Sequence, residues 1–163
     1  MKKSLVFVTT GTQLPFDRLI TVVDNWASER TNINVVAQAA TSEKLFKNVT
    51  TTDFLSPNEY DSYTSKADLI VGHAGMGTII TGIEKKKTLI LMARKLKFSE
   101  HRNDHQQSTV EKFIGMKGVY IANDEKELLA LLCRYEELDT PCEEHTENRD
   151  KLINYLSSFI KGN

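Results

Sequence analysis

The chain has 163 residues, close to the length of one domain, of which 40% are hydrophobic and 26% charged. That is a globular composition whose core needs no disulfide or metal staple. Twenty-one Lys and Arg against 22 Asp and Glu leave a net charge of −1, which argues against a broad electrostatic binder of nucleic acid.

Residues 5–8 form a continuous apolar run closed by a glycine turn, the pattern of a strand buried on both faces. The run falls short of the roughly 7–15 apolar residues of a signal-peptide core and the about 20 of a membrane span. Pro15 fits a first helical turn, and Phe16, Leu19, Ile20, Val23 and Trp26 recur at the spacing of an amphipathic helix reaching about residue 29. Strands are expected at 34–37 and 49–54. Ser56-Pro57-Asn58-Glu59 carries a capping-box pattern with proline at the first helical position, opening a short helix to about Lys66. A buried strand follows at 68–72, a helix at about 76–85, a strand at 88–92, a helix at about 104–114 and a strand at 119–121. Leu128, Leu129, Leu131 and Leu132 mark a helix over 124–135; 136–145 reads as an acidic loop and 146–161 as a last amphipathic helix. Cys133 and Cys142 form neither a CxxC pair nor a Cys/His metal spacing and fit a reducing cytoplasm.

Strands alternating with helices predict a single α/β domain with a doubly wound, Rossmann-like parallel sheet, its core at about 4–135. Ligands of such sheets bind outside the carboxyl ends of the strands, where helix N-termini present free N–H groups. The turns after Val8, Ala37, Val71 and Met92 are therefore the places to look for chemistry.

Thr9-Thr10-Gly11-Thr12 is short and hydroxyl-rich, either a structural turn or one that meets a ligand; it is neither GxGxxG nor a P-loop. Gly72-His73-Ala74-Gly75-Met76-Gly77-Thr78 sets three glycines between a strand and a helix, a composition that favours neither element and points to backbone approaching an anion. His73 reads equally as a turn histidine or a ligand-facing one. In Glu100-His101-Arg102-Asn103-Asp104-His105-Gln106-Gln107 the two histidines are four apart, but Arg102 stands where HExxH needs Glu and no third ligand is visible. A polar rim for a hydroxyl-rich ligand fits that segment better than a metal site or a plain surface loop. Lys85-Lys86-Lys87 suits a helix C-terminus, and Arg94-Lys95-Leu96-Lys97 suits a phosphate, an anionic membrane surface or solvent. No nucleophile motif is present.

Taken in order, Val8-Thr9-Thr10-Gly11-Thr12, Phe16-Asp17-Arg18-Leu19, His73-Ala74-Gly75-Met76-Gly77-Thr78 and Glu100-His101-Arg102-Asn103-Asp104-His105-Gln106 resemble the C-terminal, nucleotide-sugar-binding half of family 28 glycosyltransferases. The likeness is nearest to the small PssE-type catalytic subunits of capsule and exopolysaccharide assembly. It is more distant to the C-terminal domain of MurG and the catalytic subunit of the eukaryotic dolichol-linked GlcNAc transferase. It covers about residues 4–122. The resemblance implies the C-terminal half of a GT-B enzyme, with a UDP-sugar donor as substrate and no cofactor. It places the diphosphate on Gly75, Met76, Gly77 and Thr78, with Gly11 and Thr12 in the same cleft. Gln106, with His105 and Gln107, falls on the donor sugar, and the uracil falls at residues 38–40. The more distant relatives hold the ribose through a Glu whose position is Thr81 here; Glu84 lies one turn later, so either of them takes the ribose or its recognition differs.

Active sites of this architecture lie between two doubly wound domains, of which this chain supplies one. The resemblance thus implies a membrane-associated subunit that binds a lipid-linked sugar acceptor. It leaves this chain cytoplasmic, without a span of its own, and peripheral at the inner face of the membrane through that partner. The implied reaction is inverting transfer of a hexose in exopolysaccharide or capsule synthesis, with UDP leaving. The absence of a DxD pattern agrees with catalysis that has no obligatory metal. The general base comes from the acceptor half in this architecture; His73 and His101 are the candidates within this chain. The alternative is a non-catalytic nucleotide- or sugar-binding regulatory module, against which the complete 100–107 segment argues. A dehydrogenase is disfavoured because the first turn lacks GxGxxG.

Overall fold

The central apolar runs become strands because the side chains along them find a covered face on either side. The computed structural model describes residues 3–100 and 105–142, together with Asn154 and Ser158. In it β1 (Ser4–Thr9), β2 (Ile33–Gln38), β3 (Thr50–Thr52), β4 (Leu69–His73), β5 (Thr88–Met92) and β6 (Val119–Ala122) form one sheet in the order β3-β2-β1-β4-β5-β6. Every neighbouring pair is parallel. The connecting helices are α1 (Asp17–Ala27), α2 (Pro57–Lys66), α3 (Met76–Glu84), α4 (His105–Glu111) and α5 (Glu125–Cys133). Val6, Val8, Val35, Ala37, Val71, Ile90 and Met92 share one buried cluster with Leu19, Ile20, Val23 and Trp26 of α1 and Leu128, Leu131 and Leu132 of α5. The alternating positions Phe7, Ile70, Leu89 and Leu91 share the other with Ile79 and Phe113. There Tyr60 meets Phe7 edge-on and Tyr63 stacks on it, with ring centroids 5.6 and 5.7 Å apart. Helices over both faces are the reason the strands read as nearly unbroken apolar runs.

The strand order reverses between β1 and β4, where Thr9 pairs with Gly72. The connections from these two strands leave to opposite sides and open a crevice at their carboxyl ends. That is the expected doubly wound architecture.

The strand expected at 49–54 is only Thr50–Thr52, α1 ends at Ala27, β2 and β4 shift by a residue at their ends, and three further boundaries differ from the sequence reading. α1 begins at Asp17, not Pro15, because the Pro15 carbonyl is held outside the helix by Arg94 Nη1 at 2.9 Å. α4 ends at Glu111 and gives way to turns closed by Gly115, whose φ of +84° continues no helix. α5 stops at Cys133, and a 3-10 turn at Tyr135–Glu137 enters the stretch expected to be loop. The capping box of α2 forms as expected. The Ser56 side chain accepts the Glu59 N–H at 3.3 Å, and the Glu59 carboxylate accepts the Ser56 N–H at 2.8 Å. The Ser56 hydroxyl and backbone hold the Glu59 carboxyl below its ordinary pKa. The contribution of this pair is therefore present at neutral pH and lost as pH falls through the lowered value. The helix expected at 146–161 lies outside the described residues apart from Asn154 and Ser158, which are helical. Among the described residues no helix is long and apolar enough to cross a membrane.

α3 approaches β5 through Gly82, where a Cβ would come within 2.5 Å of Leu89 Cδ2 and 2.6 Å of its Cγ. Gly82→Val is expected to cost about 1–3 kcal/mol by overpacking, seen as a lower urea midpoint at unchanged slope. An unchanged midpoint would show that the helix does not rest on Leu89.

Candidate functional site

At the crevice the turns after β1, β4 and β5 meet the end of β2 and one flank of α2. Together they enclose a cavity of about 630 Å³, the size of a small-molecule site. Thr9, Thr10, Gly11, Thr12 and Gln13 supply one wall, and His73, Gly77, Thr78, Thr81 and Glu84 the opposite one. Leu55, Pro57, Tyr60 and Asp61 close the α2 end, and Gln38, Arg94 and Glu100 complete the lining.

The head of α3 defines the polar end. Its N-cap is Gly75, which offers no side-chain cap, so the first-turn N–H groups and the positive end of the helix dipole are available to a ligand. The three glycines of this turn serve different purposes. A Cβ on Gly72 would press on Thr78 Cγ2 of α3 at 3.0 Å and on the Thr9 carbonyl of β1 at 3.3 Å, so this glycine is a packing requirement between the strand and its neighbours. A Cβ on Gly75 would overlap His73 Nε2. Gly77 has nothing within 4 Å of that position and is exposed into the cavity. Of the three, only Gly77 has no protein atom within reach that requires its small size.

His73 fills the gap between the two turns. Its Nδ1 lies 3.3 Å from the Thr9 carbonyl oxygen, which makes Nδ1 the protonated nitrogen. Its ring packs against Gly11, where a Cβ would sit 3.0 Å from Cε1 and Nε2. Gly11 also has φ +76°, a conformation costly to any side chain. Tyr60 lies at the base of the cavity. Burial pushes its hydroxyl pKa up, and hydrogen bonding with Thr78, Thr9 and Thr81 offsets part of that rise.

The β5 end is built from buried charge. Arg94 is 2% exposed. Its Nη1 donates to the carbonyls of Pro15 at 2.9 Å and Glu100 at 2.7 Å, its Nη2 donates to those of Thr10 and Leu14, and the guanidinium lies over the Phe16 ring. Burial lowers its pKa to about 10, with the charge of Glu100 opposing that shift, and it stays charged at neutral pH. The Glu100 carboxylate, also buried, accepts Arg18 Nε at 2.7 Å and Nη2 at 2.8 Å, and the Lys95 N–H at 2.9 Å. Burial pulls the Arg18 pKa down, but Glu100, helped by Glu125, carries it above its ordinary value. Arg94 thus faces neither solvent nor a membrane. Lys85 caps the end of α3 as expected, yet its Nζ reaches across to α2, meeting Asp61 Oδ1 at 2.6 Å and the Thr64 hydroxyl at 2.7 Å.

The structure therefore brings Gly11, Thr12, His73, Gly77, Thr78, Thr81 and Glu84 to one cavity, while Gly75 and Met76 stand at the helix head without entering its lining. His105, Gln106 and Gln107 open α4, and their side chains, like the whole of His101, lie outside the described residues. At the turn expected to hold a uracil, the Gln38 carbonyl already accepts the Thr10 N–H and hydroxyl, both at 3.0 Å, and the Ala39 N–H donates to Thr52 at 2.8 Å. Those backbone groups are committed to the fold. Sequence reasoning missed the roles of Tyr60, Arg94 and the Arg18–Glu100 pair. The available signal was Arg94 standing directly beyond a wholly buried strand, where a charge requires partners.

The parallel sheet has its cavity at the switch point, facing a helix N-terminus without a side-chain cap, the arrangement in which doubly wound α/β domains hold anionic ligands. The family model described as glycosyltransferase family 28 C-terminal domain matches residues 5–154, and the chain belongs to this family. The solution structure of ALG13 is similar at a TM-score of 0.64 and 20% identity, covering 93% of this chain and 95% of that one. MurG of Acinetobacter baumannii is similar at 0.60 and 15%, covering 83% of this chain and 42% of that one. Os79 of O. sativa, solved in complex with UDP, is similar at 0.58 and 15%, covering 84% and 32%. The chain thus spans nearly all of the ALG13 structure and less than half of the other two. These likenesses show the fold, that of the C-terminal half of a GT-B glycosyltransferase. No curated protein sequence matches the chain.

Proposed function

We propose that the cavity binds a UDP-sugar donor and that the chain is the donor-binding, catalytic subunit of a two-component inverting glycosyltransferase. It would transfer a hexose to a lipid-linked acceptor in exopolysaccharide or capsule synthesis. The observation that carries this reading is the open space before Gly77 at the uncapped head of α3, opposite Gly11 and Thr12. A diphosphate seated there meets oriented N–H groups and the helix dipole. As the bond to the anomeric carbon breaks, charge builds on the leaving UDP, and the same groups stabilise it where it develops. The nucleoside then extends toward Thr81 and Glu84, with Leu55, Pro57 and Tyr60 as a partly apolar wall for the base. The donor sugar points the other way, toward Arg94 and the start of α4.

His73 is tied to Thr9 and wedged between two glycines, which suits a spacer better than a base that must exchange protons with an acceptor. The base is therefore assigned to an acceptor-binding half, which in this reading a membrane-associated partner supplies.

UDP at a hundred times its Kd stabilises a single-site protein by about 2.7 kcal/mol, a rise in Tm of about 5–10 °C for a chain of this size. NAD should give no shift. Hexose transfer from a UDP-sugar should be low for the chain alone and rise when the membrane subunit is co-expressed. Full activity of the chain alone would contradict the split enzyme, and UDP binding without transfer in any combination would favour a non-catalytic module.

A further inference from the structure

Arg94 is a buried and fully engaged side chain at the cleft. All four N–H bonds of its two terminal nitrogens are spent on main-chain carbonyls: Thr10, Leu14 and Pro15 on one side and Glu100 on the other. Three of these carbonyls belong to the connection that carries Gly11 and Thr12 into the cavity, and the fourth belongs to the segment leading to α4. That connection has few backbone bonds of its own beyond Thr10 to Gln38 at 3.0 Å. Buried carbonyls need donors, and the two terminal nitrogens of a planar guanidinium present four N–H groups in a fixed fork to these four, whereas a lysine ammonium has three donors around a single nitrogen. Glu100 fixes the far side, its carboxylate gripping Arg18 of α1 through two nitrogens.

We infer that Arg94 is a positioning residue: a buried clamp that sets the shape of the β1–α1 turn, and with it the anion end of the cleft, while offering the ligand no hydrogen bond from its terminal nitrogens. The consequence for ligand binding rests on the proposed UDP site, but the consequence for the turn does not. The cation is held by the protein so that Gly11 and Thr12 meet Gly77 and Thr78 across a fixed gap.

The test uses Arg94→Lys and Arg94→Ala in the full chain, with two readouts. In the absence of ligand, amide hydrogen exchange in peptides covering residues 10–15 should quicken at least about tenfold in both variants, while peptides from β4 and β5 keep their protection. UDP affinity should fall about 10- to 100-fold, the penalty of a misplacement of about 1 Å in a preorganised site. Tens of millimolar guanidinium should restore much of the affinity of Arg94→Ala and none of that of Arg94→Lys, whose ammonium occupies the position. Unchanged exchange at 10–15 in Arg94→Lys, or exchange raised uniformly across the chain, would overturn the inference. A wild-type chain that does not bind UDP would defeat the proposed donor site instead, and the exchange result would still decide the role of Arg94. If Arg94→Ala does not fold, Arg94→Lys alone decides it.

Discussion

Gly77→Asp should abolish UDP binding while leaving the protein as stable as before, or more so. A Cβ at this position meets nothing within 4 Å, so the new side chain displaces no protein atom. Residue 77 lies in the first turn of α3, where an acidic residue is favoured by the helix dipole and glycine is a poor helix former. The fold therefore gains from the change. The ligand loses. Two unit charges about 4 Å apart repel by about 4 kcal/mol at the effective dielectric of a protein surface, close to a thousandfold in Kd. Calorimetric titration of UDP against a variant whose Tm is equal to or above wild type is the measurement. A variant that binds UDP normally would show that the diphosphate lies elsewhere. Gly77→Ala is the control: it removes the flexible residue without adding charge, and should lose little affinity.

Gly75→Ala is the second large effect, and its cause is different. Gly75 has φ −86° and ψ 139°, which any L-residue adopts, so the cost is purely steric. The added methyl would overlap the imidazole of His73. The ring cannot retreat, because Gly11 lies on its other side and Thr9 holds its Nδ1. Overpacking of this kind costs about 1–3 kcal/mol and displaces the head of α3 from Gly11, so UDP affinity should fall with stability. The diagnostic variant is His73→Ala/Gly75→Ala. If His73 is the obstacle, the double variant recovers most of the stability that Gly75→Ala loses, with a coupling of about 0.5–3 kcal/mol in the urea-denaturation cycle. Strictly additive losses would show that Gly75 is required for another reason. His73→Ala with unchanged kcat would also remove it from consideration as a base.

The architecture was legible from sequence because one rule governs it. Five short apolar runs alternating with helical stretches leave little choice but a parallel sheet covered on both faces, and the crevice follows from the strand order; the sixth strand, Thr50–Thr52, is polar and lies at the sheet edge. The glycine-rich turn was legible as a place but not in its parts. Composition presents Gly72, Gly75 and Gly77 as equivalent, whereas their neighbours make the first a strand-packing residue, the second a recess for an imidazole and the third an opening. What no local pattern discloses is long-range pairing between polar groups. Arg94 contacts Thr10 across 84 positions, and Arg18 contacts Glu100 across 82. In sequence Arg94 reads as the head of a basic run, and only the fold shows that burial separates it from Lys95 and Lys97. Tyr60 was hidden in the same way: its spacing with Tyr63 marks a helix face, while its polar end is defined by threonines from β1 and α3.

Whether this cleft is a UDP-sugar site is decided most directly by titrating UDP into the isotopically labelled chain and following backbone amide resonances. Saturable shifts confined to the cavity lining, at residues 9–13, 55, 60, 75–78, 81 and 84, and lost in Gly77→Asp, are the expected result. No saturable shift at millimolar UDP, or shifts centred on the opposite edge of the sheet, would contradict it.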